Sequence, residues 1–247
     1  PAGQDAMELF QKEQKVLQAF DLILTSSDFS RKYLRSNGLS VPTIVVEPAL
    51  SASASTATAK PAPSFPLRAI MVANVVERKG ILEFLQALIQ SGKRIDDFYL
   101  NIFGRKDMEP RYYQECQHLV ENSWLKGKVN FAGALSHAET LAQYPRHHLL
   151  VSAARMETFG MAIQEATAVG LPLLVLEGGH SGQHVQGQNG KLCANILELA
   201  GNFLQFSRDE AKLLAFLTTA SRAASVQRHY RWEQAAGLFL HKIRHFL

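Results

Sequence analysis

The chain has 247 residues, with 26 Lys and Arg against 22 Asp and Glu, nine His and two Cys; its formal charge is +4, with 47% hydrophobic and 19% charged residues. These values exclude a disordered chain, a collagen and a coiled coil, and they fit a globular protein of one or two domains with an ordinary core. The mild positive charge suits an anionic small ligand or peripheral contact with the inner, anionic face of a membrane, and is too weak to point to nucleic acid.

No apolar run approaches the ~18 residues of a membrane span. The longest, Leu171 to Leu176, is strand-sized, and no signal peptide opens the sequence. Cys116 and Cys193 have neither metal-type spacing nor the makings of a disulfide framework, so a cytoplasmic setting is expected.

In chain order, Met7 to Phe20 reads as a helix, Asp21 to Thr25 as a short buried strand, Ser26-Ser27-Asp28 as the cap of a helix ending near Asn37-Gly38, and Thr43 to Val46 as a second strand. Residues 1–50 thus resemble the tail of a larger α/β unit. A Ser/Ala/Thr run followed by Pro61, Pro63 and Pro66 predicts a linker over 51–66. From 67 to 247 strands and helices alternate. Strands are predicted at Leu67–Ala73, Phe98–Phe103, Val129–Phe131, His148–Ser152 and Leu171–Leu176. Helices are predicted at 81–91, 110–122, 138–143, 160–169, 196–206, 210–222 and 232–246. This alternation predicts an α/β fold, an open parallel Rossmann-like sheet with helices on both faces.

Such sheets bind ligands at the carboxyl ends of their strands, so the strand-to-helix turns hold the candidate site. In the first, Arg78 and Lys79 stand before a helix start whose dipole already favours anions. That pairing suits a bound phosphate, and equally a solvated charged turn. Gly104 directly follows a strand, where the lack of a side chain lets a ligand near the backbone or makes a tight turn. The third turn, METFGMAIQE, puts Glu157 at the mouth and Glu165 on the following helix, with the amides of Phe159, Gly160 and Met161 at the helix start. Carboxylates accept paired hydroxyls of sugars or riboses and free amides suit a diphosphate; an exposed loop acid and a solvated helix acid fit the bare sequence too. The fourth, GGHSGQ with Gly187 and Gly190, reads as a plain loop or a lid. His180 and His184, like His147 and His148, lack an acidic or thiol partner at ligand spacing, so no metal site is expected. No Walker A, GxSxG or GxGxxG is present.

Taken together the segments VANVVERKGILEFLQAL, LNIFGRKD, VNFAGALS, METFGMAIQEATAVGLPLLV, GQNGKLC and YRWEQAAGLFL resemble, in order, the C-terminal domain of the group 1 (family 4) retaining glycosyltransferases, which have the two-domain GT-B fold. Residues 21–50 resemble the last elements of that family's N-terminal domain. The resemblance implies a nucleotide-diphospho-sugar donor, UDP- or GDP-linked, a metal-independent reaction without further cofactor, and transfer with retention to a glycan or lipid-linked acceptor. It assigns Lys79 to the diphosphate with help from Arg78 or Asn74, and Glu157 with the amides after it to the transferred sugar and β-phosphate. It assigns Glu165 to the ribose, the segment around Leu135 to the base, and Gly104 to the floor under the phosphates.

Two departures stand out: Ala73-Asn74 where the family often has Gly-Arg, and GGHSGQ, with Gln183, where it often has GGxPE. Since no acceptor-binding unit precedes residues 1–50 and the sequence starts at Pro1, the expectation is a fragment, weakly active or inactive alone and completed by a missing N-terminal domain. The alternative is a non-catalytic nucleotide-binding or interaction subunit working with a separate partner chain.

Overall fold

The structure is a computed structural model that describes residues 2–50, 65–91, 97–224, 231–244 and 246, without the side chains of 2–6 and 221–224. The chain divides into two compact units, Pro1–Ala49 with Tyr230–Leu247, and Leu50–His229. The predicted linker over 51–66 lies outside the described residues except for Phe65 and Pro66.

The larger unit contains strands β3 (Leu67–Val72), β4 (Phe98–Phe103), β5 (Val129–Gly133), β6 (Leu149–Ser152), β7 (Leu173–Leu176) and β8 (Gly190–Cys193). They form one parallel sheet in the order β5-β4-β3-β6-β7-β8. Helices α3 (Ile81–Ser91), α4 (Pro110–Glu121), α5 (His137–Gln143), α6 (Met161–Ala168), α7 (Ile196–Arg208) and α8 (Glu210–Ala224) connect and flank them. The strands are apolar runs because both faces of a parallel sheet are covered. On β3, Leu67, Ala69 and Met71 join a cluster with Phe84, Phe98 and Phe203, while Ile70 belongs to a second cluster with Tyr144, Ile163 and Val175. In the first cluster the ring of Phe203 lies edge-on to Phe84 at 5.6 Å and to Phe98 at 4.8 Å.

Local signals set the helix starts. Ser136 and Glu139 cap α5 reciprocally, the Ser136 hydroxyl accepting from the Glu139 amide and the Glu139 carboxylate accepting from the Ser136 amide. Asn195 caps α7. No strand is predicted over GQNGKLC, whereas Gly190–Cys193 pairs with β7 as the sheet's sixth strand. Its four residues are half-polar and lie at an edge, so no run of apolar residues announces it.

The smaller unit contains α1 (Ala2–Gln18), β1 (Ile23–Thr25), α2 (Asp28–Ser36), β2 (Thr43–Val45) and α9 (Trp232–Ile243). β1 and β2 pair in parallel, with α2 as the crossover, and the Ser27 hydroxyl accepts from the Ser30 amide at the start of α2. Chain order predicts that the terminal helix packs with residues 67–247; it groups instead with the smaller unit, where the Lys242 ammonium donates to the Val45 carbonyl at 2.6 Å. A helix goes where its contacts are, and chain order does not report them.

Candidate functional site

Strand order reverses between β3 and β6: from this pair β4 and β5 run outward on one side, β7 and β8 on the other. A crevice opens at the carboxyl ends of strands at such a point, because the connections on its two sides leave for opposite faces of the sheet. Here it is a cleft of about 620 Å³ within the larger unit, and the ten residues singled out from sequence all line it: Asn74, Arg78, Lys79, Gly104, Leu135, Glu157, Phe159, Gly160, Met161 and Glu165.

The loop after β3 ends in a tight turn, Glu77–Lys79, before α3. Lys79 Nζ lies 2.5 Å from Glu157 Oε1, joining this loop to the one after β6. Arg78 is exposed and has no ion-pair partner among the described residues. Asn74 Oδ1 accepts from the Arg105 amide at 3.0 Å, so the Asn74 side chain ties the β3 and β4 loops together. At Gly104 a Cβ would lie 2.0 Å from the Ala73 carbonyl oxygen; only glycine lets the two loops approach this closely.

Beyond β6 the backbone of Glu157 is held on both sides, its amide donating to the Gly178 carbonyl at 3.2 Å and its carbonyl accepting from the His180 amide at 2.7 Å. The Phe159 ring stacks on His180, with centroids 5.3 Å apart, and the His184 ring meets it edge-on at 5.1 Å. His184 Nε2 lies 2.5 Å from the Phe159 carbonyl oxygen. The GGHSGQ segment is therefore a buttress under the turn that leads into α6. Gly160 follows with φ +93°, a left-handed conformation, and the amides of Phe159, Gly160 and Met161 donate no backbone hydrogen bond among the described residues. They stand at the positive end of α6, and all three residues line the cleft.

Glu165, one turn into α6, is buried. Its Oε2 accepts from the Tyr144 hydroxyl at 2.9 Å and its Oε1 lies 2.9 Å from His137 Nε2. Burial, and then the neighbouring carboxylate, push the Tyr144 phenol far up, which keeps it a donor. Sequence reasoning misses both partners. Tyr144 stands before a proline at a helix end, His137 opens a helix, and neither has a spacing that marks it for Glu165. No three His, Cys, Asp or Glu side chains among the described residues are grouped to hold a metal ion. No described helix is long and apolar enough to cross a membrane.

A crevice lined by cationic, amide and carboxylate groups, placed where the sheet reverses order, defines an open α/β sheet protein with a ligand-binding crevice at its switch point. Residues 58–220 match the family described as glycosyl transferases group 1, and the chain belongs to that family. Its fold is that of the GT-B glycosyltransferases. A glycosyltransferase from Rickettsia africae is 18% identical over 94% of this chain, with a TM-score of 0.78. Sucrose-phosphate synthase from Thermosynechococcus elongatus is 19% identical over 96%, with a TM-score of 0.75. HepE from Anabaena, solved with UDP and glucose, is 17% identical over 95%, with a TM-score of 0.78. The chain spans 66%, 61% and 66% of those three, about two thirds of their length or less. No curated protein sequence matches it.

Proposed function

We propose that the chain is the donor-binding part of a retaining, hexosyl-type glycosyltransferase whose substrate is a UDP- or GDP-linked sugar. The observation that carries this reading is the convergence of Lys79, Glu157, Glu165 and the amides of Phe159, Gly160 and Met161 on one cleft. Each group matches one part of such a donor. Glu165 accepts from the ribose hydroxyls, the cleft wall at Leu135 covers the base, and Lys79, Arg78 and the α6 amides face the diphosphate above Gly104. Glu157 reaches the hydroxyls of the sugar.

The chemistry follows from charge. Breaking the bond between the sugar's anomeric carbon and the β-phosphate oxygen leaves negative charge on that phosphate. Fixed cations and amide dipoles aimed at it stabilise the departing diphosphate without reorganising, and in this reading they take the place of a metal ion. Asn74 adds its amino group where the family more often has an arginine.

The acceptor, a glycan or a lipid-linked sugar, must be held with its hydroxyl ~3–3.5 Å from the anomeric carbon. In this reading a further domain supplies that wall, so the chain alone binds donor and transfers little. Work on a lipid-linked acceptor would put it at the cytoplasmic face of a membrane. Calorimetric titration with UDP and GDP tests the donor site: one of them binds, Lys79→Ala weakens it, and a failure of both to bind at millimolar concentration defeats the proposal. A second reading, a non-catalytic subunit completed by a separate partner chain, is favoured by the exposure of Met7, Leu9, Val16 and Phe20 in the smaller unit. Sugar transfer by the full-length protein, without any partner, rules that reading out.

A further inference from the structure

A glutamate side chain is well fixed at its aliphatic torsions and poorly fixed at the last one, where the carboxylate turns over a broad, nearly two-fold minimum. Glu165 is buried, yet its carboxylate plane is held from two sides. From the core, Tyr144, wholly buried, donates to Oε2 at 2.9 Å; the other acceptor near its hydroxyl, the Ala162 carbonyl, is at 3.4 Å. From the rim, His137 Nε2 meets Oε1 at 2.9 Å. His137 is the first residue of α5, whose start is locked by the Ser136–Glu139 capping box, so its ring is carried on a fixed backbone. An ionised carboxylate offers about four lone-pair sites. Tyr144 and His137 use one on each oxygen, and each oxygen keeps one, with the orientation of both already set.

We infer that Tyr144 and His137 are positioning residues that set the Glu165 carboxylate to read the ribose 2′-hydroxyl, making the cleft selective for ribonucleotides over 2′-deoxyribonucleotides. The inference rests on the donor-site reading above and deepens it. A site built to accept a hydroxyl rejects the analogue without it, because the desolvated acceptor is then left unpaired. A carboxylate free to rotate can re-aim its lone pairs toward another donor and loses that discrimination. Tyr144 and His137 would thus act on selectivity more than on affinity, which separates positioning from mere support.

The test is calorimetric titration of the full chain with UDP and 2′-deoxy-UDP, and in parallel GDP and 2′-deoxy-GDP. Wild type is expected to prefer the ribo form of its nucleotide roughly 10- to 100-fold, as for a hydrogen bond to a charged group. Glu165→Ala should bring the ratio near one. Tyr144→Phe, which keeps the ring in place, and His137→Ala, at an exposed position, should each lower it at least about threefold, with His137→Gln recovering part of the loss through its amide donor. If wild type binds none of the four ligands, the donor-site reading falls and this inference with it. If Glu165→Ala abolishes the preference while Tyr144→Phe and His137→Ala keep the wild-type ratio, the donor site stands and the positioning role is overturned. An unchanged ratio in Glu165→Ala overturns it as well.

Discussion

Lys79 Nζ and Glu157 Oε1 meet at 2.5 Å across the floor of the cleft, with side chains only 14% and 13% exposed, although 78 residues separate them in the chain. The pair links the loops after β3 and β6, the two strands at which the sheet reverses order. A cation already oriented by a carboxylate is ready to receive a second anion, and a carboxylate neutralised by a lysine can sit close to a diphosphate without repelling it.

The two partners should therefore answer differently to substitution. Lys79→Ala should weaken binding of the free nucleoside diphosphate roughly 10- to 100-fold, the loss of a charge-assisted hydrogen bond. Glu157→Gln removes a negative charge beside the proposed diphosphate site, so binding of the free nucleotide should hold or tighten, while the gain from the attached sugar disappears. Titration of both variants with UDP, UDP-glucose, GDP and GDP-mannose checks this; equal losses for nucleotide and nucleotide sugar in Glu157→Gln would contradict the division of roles.

Gly160 governs the aim of the α6 amides. In Gly160→Ala the new Cβ meets Ile163 Cδ1 at 3.3 Å and the His184 ring at 3.4 Å, on a backbone with φ +93°. The left-handed conformation alone costs about 1–2 kcal/mol for an L-residue. The variant should melt several degrees lower and bind nucleotide less well; an unchanged affinity would mean that these amides do not touch the ligand.

Much of the architecture was legible because buried parallel strands are written as unbroken apolar runs, as in Leu171 to Leu176, and because helices are announced by caps such as Ser27. The site was legible where a residue type is out of place locally, as with two cations before a helix start, and where the segments resemble a family. Tyr144 and His137 carry no such mark. They reach Glu165 across 21 and 28 residues, from the turn just after α5 and from its start, a relation that no periodicity encodes. The strand Gly190–Cys193 and the grouping of α9 with residues 1–49 were hidden for the same reason, since both depend on a distant partner.

Acid sensitivity has a defined source away from the cleft. Burial, then the charges of Arg68 and His147, push His148 down to about 4, and burial likewise lowers His147. Below pH ~6.5 the unfolded chain binds protons that the folded chain refuses, so stability rises with pH across this window. It should be complete near neutrality and fall by roughly 2 kcal/mol as pH drops from 6.5 toward 4, within the linkage expected for a shift of this kind. Urea midpoints at pH 7 and pH 5 measure the slope. It should flatten in His148→Asn, which keeps an acceptor for the Arg68 amide that His148 Nδ1 now serves at 3.1 Å.

The core should respond independently of the site. Phe203, fully buried between Phe84 and Phe98, is expected to cost about 3–5 kcal/mol when cut to alanine. Nucleotide affinity of the fraction that remains folded should not change, because none of the three rings lines the cleft. A matched loss of affinity in Phe203→Ala would show that the cleft depends on packing far from its walls.

The central claim is that this cleft holds a nucleotide-diphospho-sugar. The most direct measurement is a thermal-shift titration of the chain with UDP, GDP, ADP and their common sugars, beside Lys79→Ala and Glu165→Ala. A ligand present at 100 times its dissociation constant adds ~2.7 kcal/mol of stability, well within reach of the method. One uridine or guanosine series is expected to raise the melting temperature of the wild type, and each substitution to cut that rise to about half or less, as a 10- to 100-fold loss of affinity requires. No shift with any nucleotide at millimolar concentration, or a shift that both variants keep in full, would contradict the claim.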